Sequence, residues 1–199
     1  MPEIRPYRPS DLKAVYDICV RTADGGEDAR GHYSDDDLVG DVFAGPYVRL
    51  EPELAFVIDD GGEAVGYVLG TADTEAFVRR YTAEWLPSLG DKYPAPPAPP
   101  RTASEEMIAV LYDPGRMLVP GLDLAAYPAH LHIDLLPVVQ GRGYGRKLIE
   151  RFTGALDVPG VHLGVRTTNV KARGFYARLG FEPLPVRDPG RTTYLGLRL

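Results

Sequence analysis

Two groupings of residues in this chain have the types and spacing of a reaction centre. The first is Gln140-Gly141-Arg142-Gly143-Tyr144-Gly145, followed at once by Arg146 and Lys147. Glycines at alternate positions let the backbone approach a ligand closely with its N–H groups outward. Behind them, Arg146 to Leu156 has Leu148, Ile149, Phe152 and Leu156 at helical spacing, so the turn opens onto a helix N-terminus. Such an end has unpaired donors and a partial positive charge, and it attracts phosphate. Arg142, Arg146 and Lys147 add full charge in the same place. The second grouping is His130, His132 and Asp134. These alternate along the strand that continues through the apolar stretch Leu131 to Leu136, and so share one face. Asp134, ranked ahead of His132, suits the role of general base or substrate contact. Three such side chains are also a potential metal set. Nothing else in the sequence completes one, so no metal is expected, and a satisfied structural histidine is the plain alternative for His132.

The P-loop pattern, Gly, four residues, then Gly-Lys-Ser/Thr, is absent. The dinucleotide fingerprint fails on spacing, because the glycines fall at 141, 143 and 145. A tight turn without a ligand is the remaining plain reading. What the segment resembles is the pyrophosphate-binding motif of the GCN5-related N-acetyltransferase (GNAT) superfamily, Gln/Arg-x-x-Gly-x-Gly/Ala after a strand. Downstream, Asn169-Val170-Lys171-Ala172-Arg173-Gly174-Phe175-Tyr176-Ala177-Arg178-Leu179-Gly180-Phe181 is similar to the superfamily's Asn-x-x-Ala-x-x-Phe-Tyr-x-x-x-Gly-Phe segment. The resemblance is firmest over residues 129–199.

The resemblance implies a fold and a site. The fold is the α/β GNAT fold, a mixed, mostly antiparallel central sheet flanked by helices. The cosubstrate is acetyl-CoA. Backbone N–H groups of Gly141, Arg142, Gly143, Tyr144, Gly145 and Arg146, beside Gln140 and Val138, would take the diphosphate. Leu135 and Leu136 would pair with the pantetheine arm up to Pro137, which has no N–H and ends the pairing. A backbone N–H near Leu136 would face the thioester oxygen. By resemblance, Asn169 hydrogen-bonds the cofactor arm, Ala172 and Phe175 line it, and Tyr176 is the general acid for the leaving thiolate. The plain alternative for Tyr176 is a buried tyrosine packing its helix on the sheet.

Composition sets bounds. The chain has 199 residues, 44% hydrophobic and 25% charged, with a net charge of −6. That size and balance suit one domain, and the charge gives no expectation of nucleic acid or an anionic membrane as partner. Cys19 is the one cysteine, which excludes an internal disulfide and suits the reducing cytoplasm expected for this chain. No signal peptide and no apolar run near ~18 residues is seen.

In chain order, Glu3 to Tyr7 is a strand, and Pro9-Ser10-Asp11 opens a helix with Leu12, Val15, Ile18 and Cys19 on one face. Cys19 is therefore expected in the core and not as a nucleophile. A helix is expected from Ser34 to about Phe43, with Asp35, Asp36 and Asp37 suiting its first turn and not a metal. Glu53 to Ile58 and Ala64 to Thr71 form a hairpin around Asp59-Asp60-Gly61-Gly62. Thr74 to Leu86 is helical, with Phe77, Tyr81 and Trp85 as a packing stripe. Tyr93 to Pro100 is a stiff, proline-rich surface connector, and Ser104 to Leu111 a short helix. Val161 to Arg166 is a strand, and Thr192 to Leu199 a closing strand that could form a dimer edge. Monomer and homodimer both stay open.

The stretch from about Ala72 to Ala129 is long for the connection between the third and fourth strands of this superfamily. It is placed to form one wall of an acceptor pocket, with loops 23–34 and 44–52. Together with Leu131-His132-Ile133-Asp134-Leu135-Leu136-Pro137, it makes the chain similar to the acetyltransferase-like domain at the C-terminus of animal O-GlcNAc hydrolases and its free-standing bacterial relatives. The animal domain is regarded as a pseudo-acetyltransferase with a degraded cofactor loop, whereas Gln-x-x-Gly-x-Gly is intact here. The expected function is an acetyl-CoA-dependent N-acetyltransferase with direct transfer to an amine, either a small molecule or a protein lysine. The alternative is a non-catalytic acyl-CoA-binding or interaction module.

Overall fold

The computed structural model describes residues 1–199. Strand β1 (Glu3–Pro6) pairs antiparallel with β2 (Phe56–Asp60). Buried Arg5 ties three pieces of chain together, donating to Asp11 at 2.7 and 2.8 Å and to Asp59 at 2.7 Å. The expected hairpin joins β2 to β3 (Glu63–Thr71) through Gly61 and Gly62, whose φ angles of 70° and 98° suit only glycine, and Asp59 Oδ1 accepts from the Gly62 N–H at 2.6 Å. Residues 52–54 form a 3-10 turn, so β2 starts later than the sequence suggests.

The sheet continues through β4 (Ala129–Leu135), β5 (Gly160–Arg166), the short β6 (Glu182–Pro183) and β7 (Thr192–Arg198), in the order β1-β2-β3-β4-β5-β7-β6. All neighbours are antiparallel except β4 and β5. That parallel pair is joined only at Ala129 with Val161 and His130 with His162, after which the two strands part. The gap left between them organises the site.

One sheet face is covered by α1 (Leu12–Val20), α2 (Asp37–Phe43), α3 (Gly45–Leu50), α4 (Thr74–Arg80) and α6 (Ala103–Leu111), with the short α5 (Leu86–Ser88) between the last two. Its core includes Val15, Ile18, Cys19, Tyr47, Tyr67, Leu69 and Phe77. Leu12, expected on that buried face, is exposed. The opposite face takes α7 (Tyr144–Thr153) and α8 (Val170–Ala177), with Leu148, Ile149, Phe152 and Tyr176 packed against Ile58, Val68 and Leu163.

Two expectations change here. Helix α2 begins at Asp37 and not at Ser34, because Ser34 N–H bonds the Ser104 hydroxyl while Asp36 Oδ1 accepts from Gly31 N–H. Most of the presumed loop 44–52 is helix α3, with Pro46 in its first turn, where a missing N–H is harmless. Between β3 and β4, residues 72–128 carry α4, a π-helical stretch Tyr81–Trp85, α5 and α6. Phe77, Tyr81 and Trp85 are all buried, as packing residues.

Candidate active site

The turn between β4 and α7 combines a sharp bend with free donors. Pro137–Val139 forms a 3-10 turn, and Gln140 Nε2 donates back to the Leu135 carbonyl at 2.8 Å. Gly141 and Gly143 have φ of 70° and 84°, and nothing stands within 4 Å of where a Cβ would be at either. No backbone N–H from Gly141 to Arg146 donates a hydrogen bond within the protein. Six consecutive unpaired donors at a helix start are a cradle for a diphosphate. Arg142, Arg146 and Lys147 are exposed around it, and Val138 is exposed beside it. Gly145 carries a second constraint beside its free N–H. A Cβ there would stand 3.0 Å from the Phe175 ring, so this glycine lets α7 and α8 pack.

The cradle continues into the gap between β4 and β5. Leu136 N–H, the region expected to face a thioester oxygen, donates to the Val65 carbonyl at 3.0 Å. Alternation along an antiparallel strand then directs the N–H groups of Leu135 and Ile133 to the open edge. The free donor is therefore Leu135, one residue earlier than expected.

Across the gap, Tyr176 is buried against Phe175 and Phe181, with ring centroids 5.2 and 5.5 Å away, and its hydroxyl bonds nothing. Burial, and then the nearby Asp134 charge, push its phenol above the usual range, so it stays protonated. Ala172 and Phe175 are half-buried on the same helix. Asn169 is the N-cap of α8. Its Oδ1 accepts from Ala172 N–H at 3.0 Å and its Nδ2 faces the Gly25 carbonyl at 3.4 Å, so the side chain expected on the cofactor arm has a structural task of its own.

Asp134 lies on the other face of the sheet. Tyr67 donates to its Oδ2 at 2.6 Å, and burial raises its carboxyl against the lowering effect of Tyr67 and Thr22. His132 and His130 follow on the same face. His130 is held between Tyr47 Oη at 2.7 Å from Nε2 and Thr74 Oγ1 at 2.8 Å from Nδ1, so neither ring nitrogen is free for a metal. His132 Nε2 stands 3.2 Å from the same Tyr47 Oη. Burial, followed by the Arg116 charge, lowers His132 to about 4. Cys19, buried beneath, has its thiol pushed up to about 12 by burial and is no nucleophile. Tyr47, Tyr67, Thr74 and Arg116 carry no signal in the sequence, because their partners on β4 are far away in the chain.

The site is thus a parallel pair that opens after two residue pairs, with a turn of free donors on one face and titratable groups on the other. The Acetyltransferase (GNAT) family model matches residues 15–181, and the chain belongs to that family. It is 28% identical over 180 residues to Protein O-GlcNAcase of Rattus norvegicus, covering 89% of this chain and 20% of that protein, so it spans about a fifth of the curated relatives it matches. Among solved structures it is similar to SsHAT, 58% identical with a TM-score of 0.94 over 99% of this chain and 98% of that one. It also shares the fold of yncA from Salmonella typhimurium, solved with acetyl-CoA, at 17% identity and a TM-score of 0.56 over 100% and 94% of the two chains.

Proposed function

We propose that this chain is an acetyl-CoA-dependent N-acetyltransferase that passes acetyl directly to an amine. One observation carries the reading: the N–H groups of Gly141–Arg146 are unpaired and follow on strand β4, whose pairing with β5 stops at His130. Acetyl-CoA supplies an acetyl group activated as a thioester. The protein's groups do the rest. The 141–146 amides and the flanking cations hold the diphosphate, and Leu135 N–H stabilises the carbonyl oxygen as its charge grows. Tyr176, kept protonated, gives its proton to the departing sulfur. Asp134 contacts the acceptor nitrogen from the opposite face. With Cys19 buried and protonated, transfer needs no enzyme-bound intermediate. The chain works in the cytoplasm, as monomer or homodimer.

The test is release of CoA thiol from acetyl-CoA by the purified protein, over a panel of small primary amines and lysine peptides. Acceptor-dependent release, with the acetylated amine identified by mass, is expected. Tight acetyl-CoA binding without release for any amine would favour the non-catalytic module instead.

A further inference from the structure

A chain of polar side chains runs through the sheet face covered by α3 and α4, and its proton directions are fixed. Thr74 Oγ1 donates to the Pro128 carbonyl at 2.7 Å and also stands 2.8 Å from His130 Nδ1. A hydroxyl has one proton and a carbonyl can only accept, so Nδ1 must carry hydrogen and donate to Thr74. His130 is buried and neutral, its pKa well below the usual range through burial and then the neighbouring His162, His132 and Arg116. Its Nε2 is therefore bare and accepts from Tyr47 Oη at 2.7 Å. The Met117 sulfur, 3.7 Å from that hydroxyl, is a weak competitor. With the Tyr47 proton so directed, its oxygen can only accept from His132, whose Nε2 at 3.2 Å must carry the hydrogen. His132 is then the Nε2–H tautomer with a lone pair on Nδ1. Nothing in the protein bonds Nδ1 and the residue is only part-buried, so Nδ1 is the ring nitrogen left free.

Strand alternation sets His132 about 7 Å from Asp134 on the same face of β4. We propose that His132, through Nδ1, takes the proton from the acceptor amine, with Tyr47, His130 and Thr74 as positioning residues that fix its tautomer. This rests on the acetyltransferase reading and leaves Asp134 to hold the acceptor nitrogen. The step balances. A neutral amine forms its bond to the acetyl carbon, and the carbon–sulfur bond breaks with its electron pair going to sulfur. Tyr176 protonates the sulfur, and the surplus proton on nitrogen goes to His132 Nδ1. His132 then releases that proton to solvent, and Tyr176 regains one. The groups facing His132 are Tyr47 from α3, Arg116 from the 114–117 turn, His130 and Asp134 from its own strand, and the apolar Phe43 ring at 5.8 Å.

Long-range nitrogen–proton NMR of the imidazoles in the full chain tests this without an acceptor. Hydrogen on Nε2 of His132 and on Nδ1 of His130 is expected, and Tyr47→Phe should release the His132 preference. Hydrogen on Nδ1 of His132 would overturn the proposal. With any amine that turns over, His132→Gln should lower kcat about 100-fold at unchanged acetyl-CoA affinity. Thr74→Val should lower it about tenfold and Thr74→Ser should restore it. His132→Gln within twofold of the parent would refute the role. Failure of the parent chain to bind acetyl-CoA would remove the acetyltransferase reading and leave the tautomer result standing.

Discussion

Gly143 combines a φ of 84° with open space where a Cβ would project. A side chain there is strained and fills the volume in front of the free amides. Gly143→Glu adds negative charge at the same point, so acetyl-CoA affinity should fall by at least about 100-fold while the melting temperature changes little. Unchanged affinity would remove the loop from the site. Tyr176 makes a different contribution. Tyr176→Phe keeps the ring packing on Phe175 and Phe181 and removes only the proton, so kcat should drop about 100-fold with cofactor affinity intact. Parent-like kcat would make the residue structural. The glycine turn was legible in the sequence because its requirement is local: donors must point outward and only glycine allows the bend. The second constraint on Gly145 was not legible, since it comes from the Phe175 ring on another helix. The tautomer chain was not legible at all, because Tyr47 meets His130 from 83 residues away.

Helix α2 and the 72–128 segment are bound to each other through one carboxylate. Buried Asp41 accepts from Tyr16 at 2.6 Å, Tyr93 at 2.7 Å and Lys92 at 2.8 Å, while its own carbonyl takes the Trp85 indole N–H at 3.0 Å. Asp41→Ala would leave the buried Tyr16 hydroxyl without an acceptor, and Tyr93 and Lys92 with only their longer contacts to Asp35 and Asp37. A loss of about 3 kcal/mol is expected in chemical denaturation, and a loss within about 0.5 kcal/mol would show the anchor to be dispensable. The elements with strong periodicity, α7, β4 and β5, matched their expected spans to within a few residues. Helix α3 did not, because Gly45-Pro46 has the chemistry of a turn and only packing against Trp85 and Tyr16 makes it a helix start. That helix brings Tyr47 to the sheet, so the largest error in the fold also hid part of the site.

Across the whole chain, the sheet separates two groupings, with the free-amide turn beside α7 and α8 on one face and His130, His132 and Asp134 on the face covered by α1–α3. Burial is the first cause that holds His130, His132 and His162 below the ordinary histidine range, so the folded chain keeps them neutral. The unfolded chain takes up these protons below about pH 6.5. Stability should therefore fall as pH drops from about 6.5 towards about 4. Asp11 and Asp59 are depressed first by their bonds to Arg5, so their contribution is present above about pH 4 and is lost below it. A urea midpoint that does not move between about pH 7 and about pH 5 would contradict the neutral burial of the histidines.

If the free amides of Gly141–Arg146 hold the diphosphate of acetyl-CoA, calorimetric titration of the purified chain with acetyl-CoA, with free CoA alongside, will show it. One-to-one binding at roughly micromolar affinity is expected for both, since the shared diphosphate is what the cradle holds. No binding at roughly millimolar acetyl-CoA would contradict it and turn attention to protein partners of the 72–128 segment.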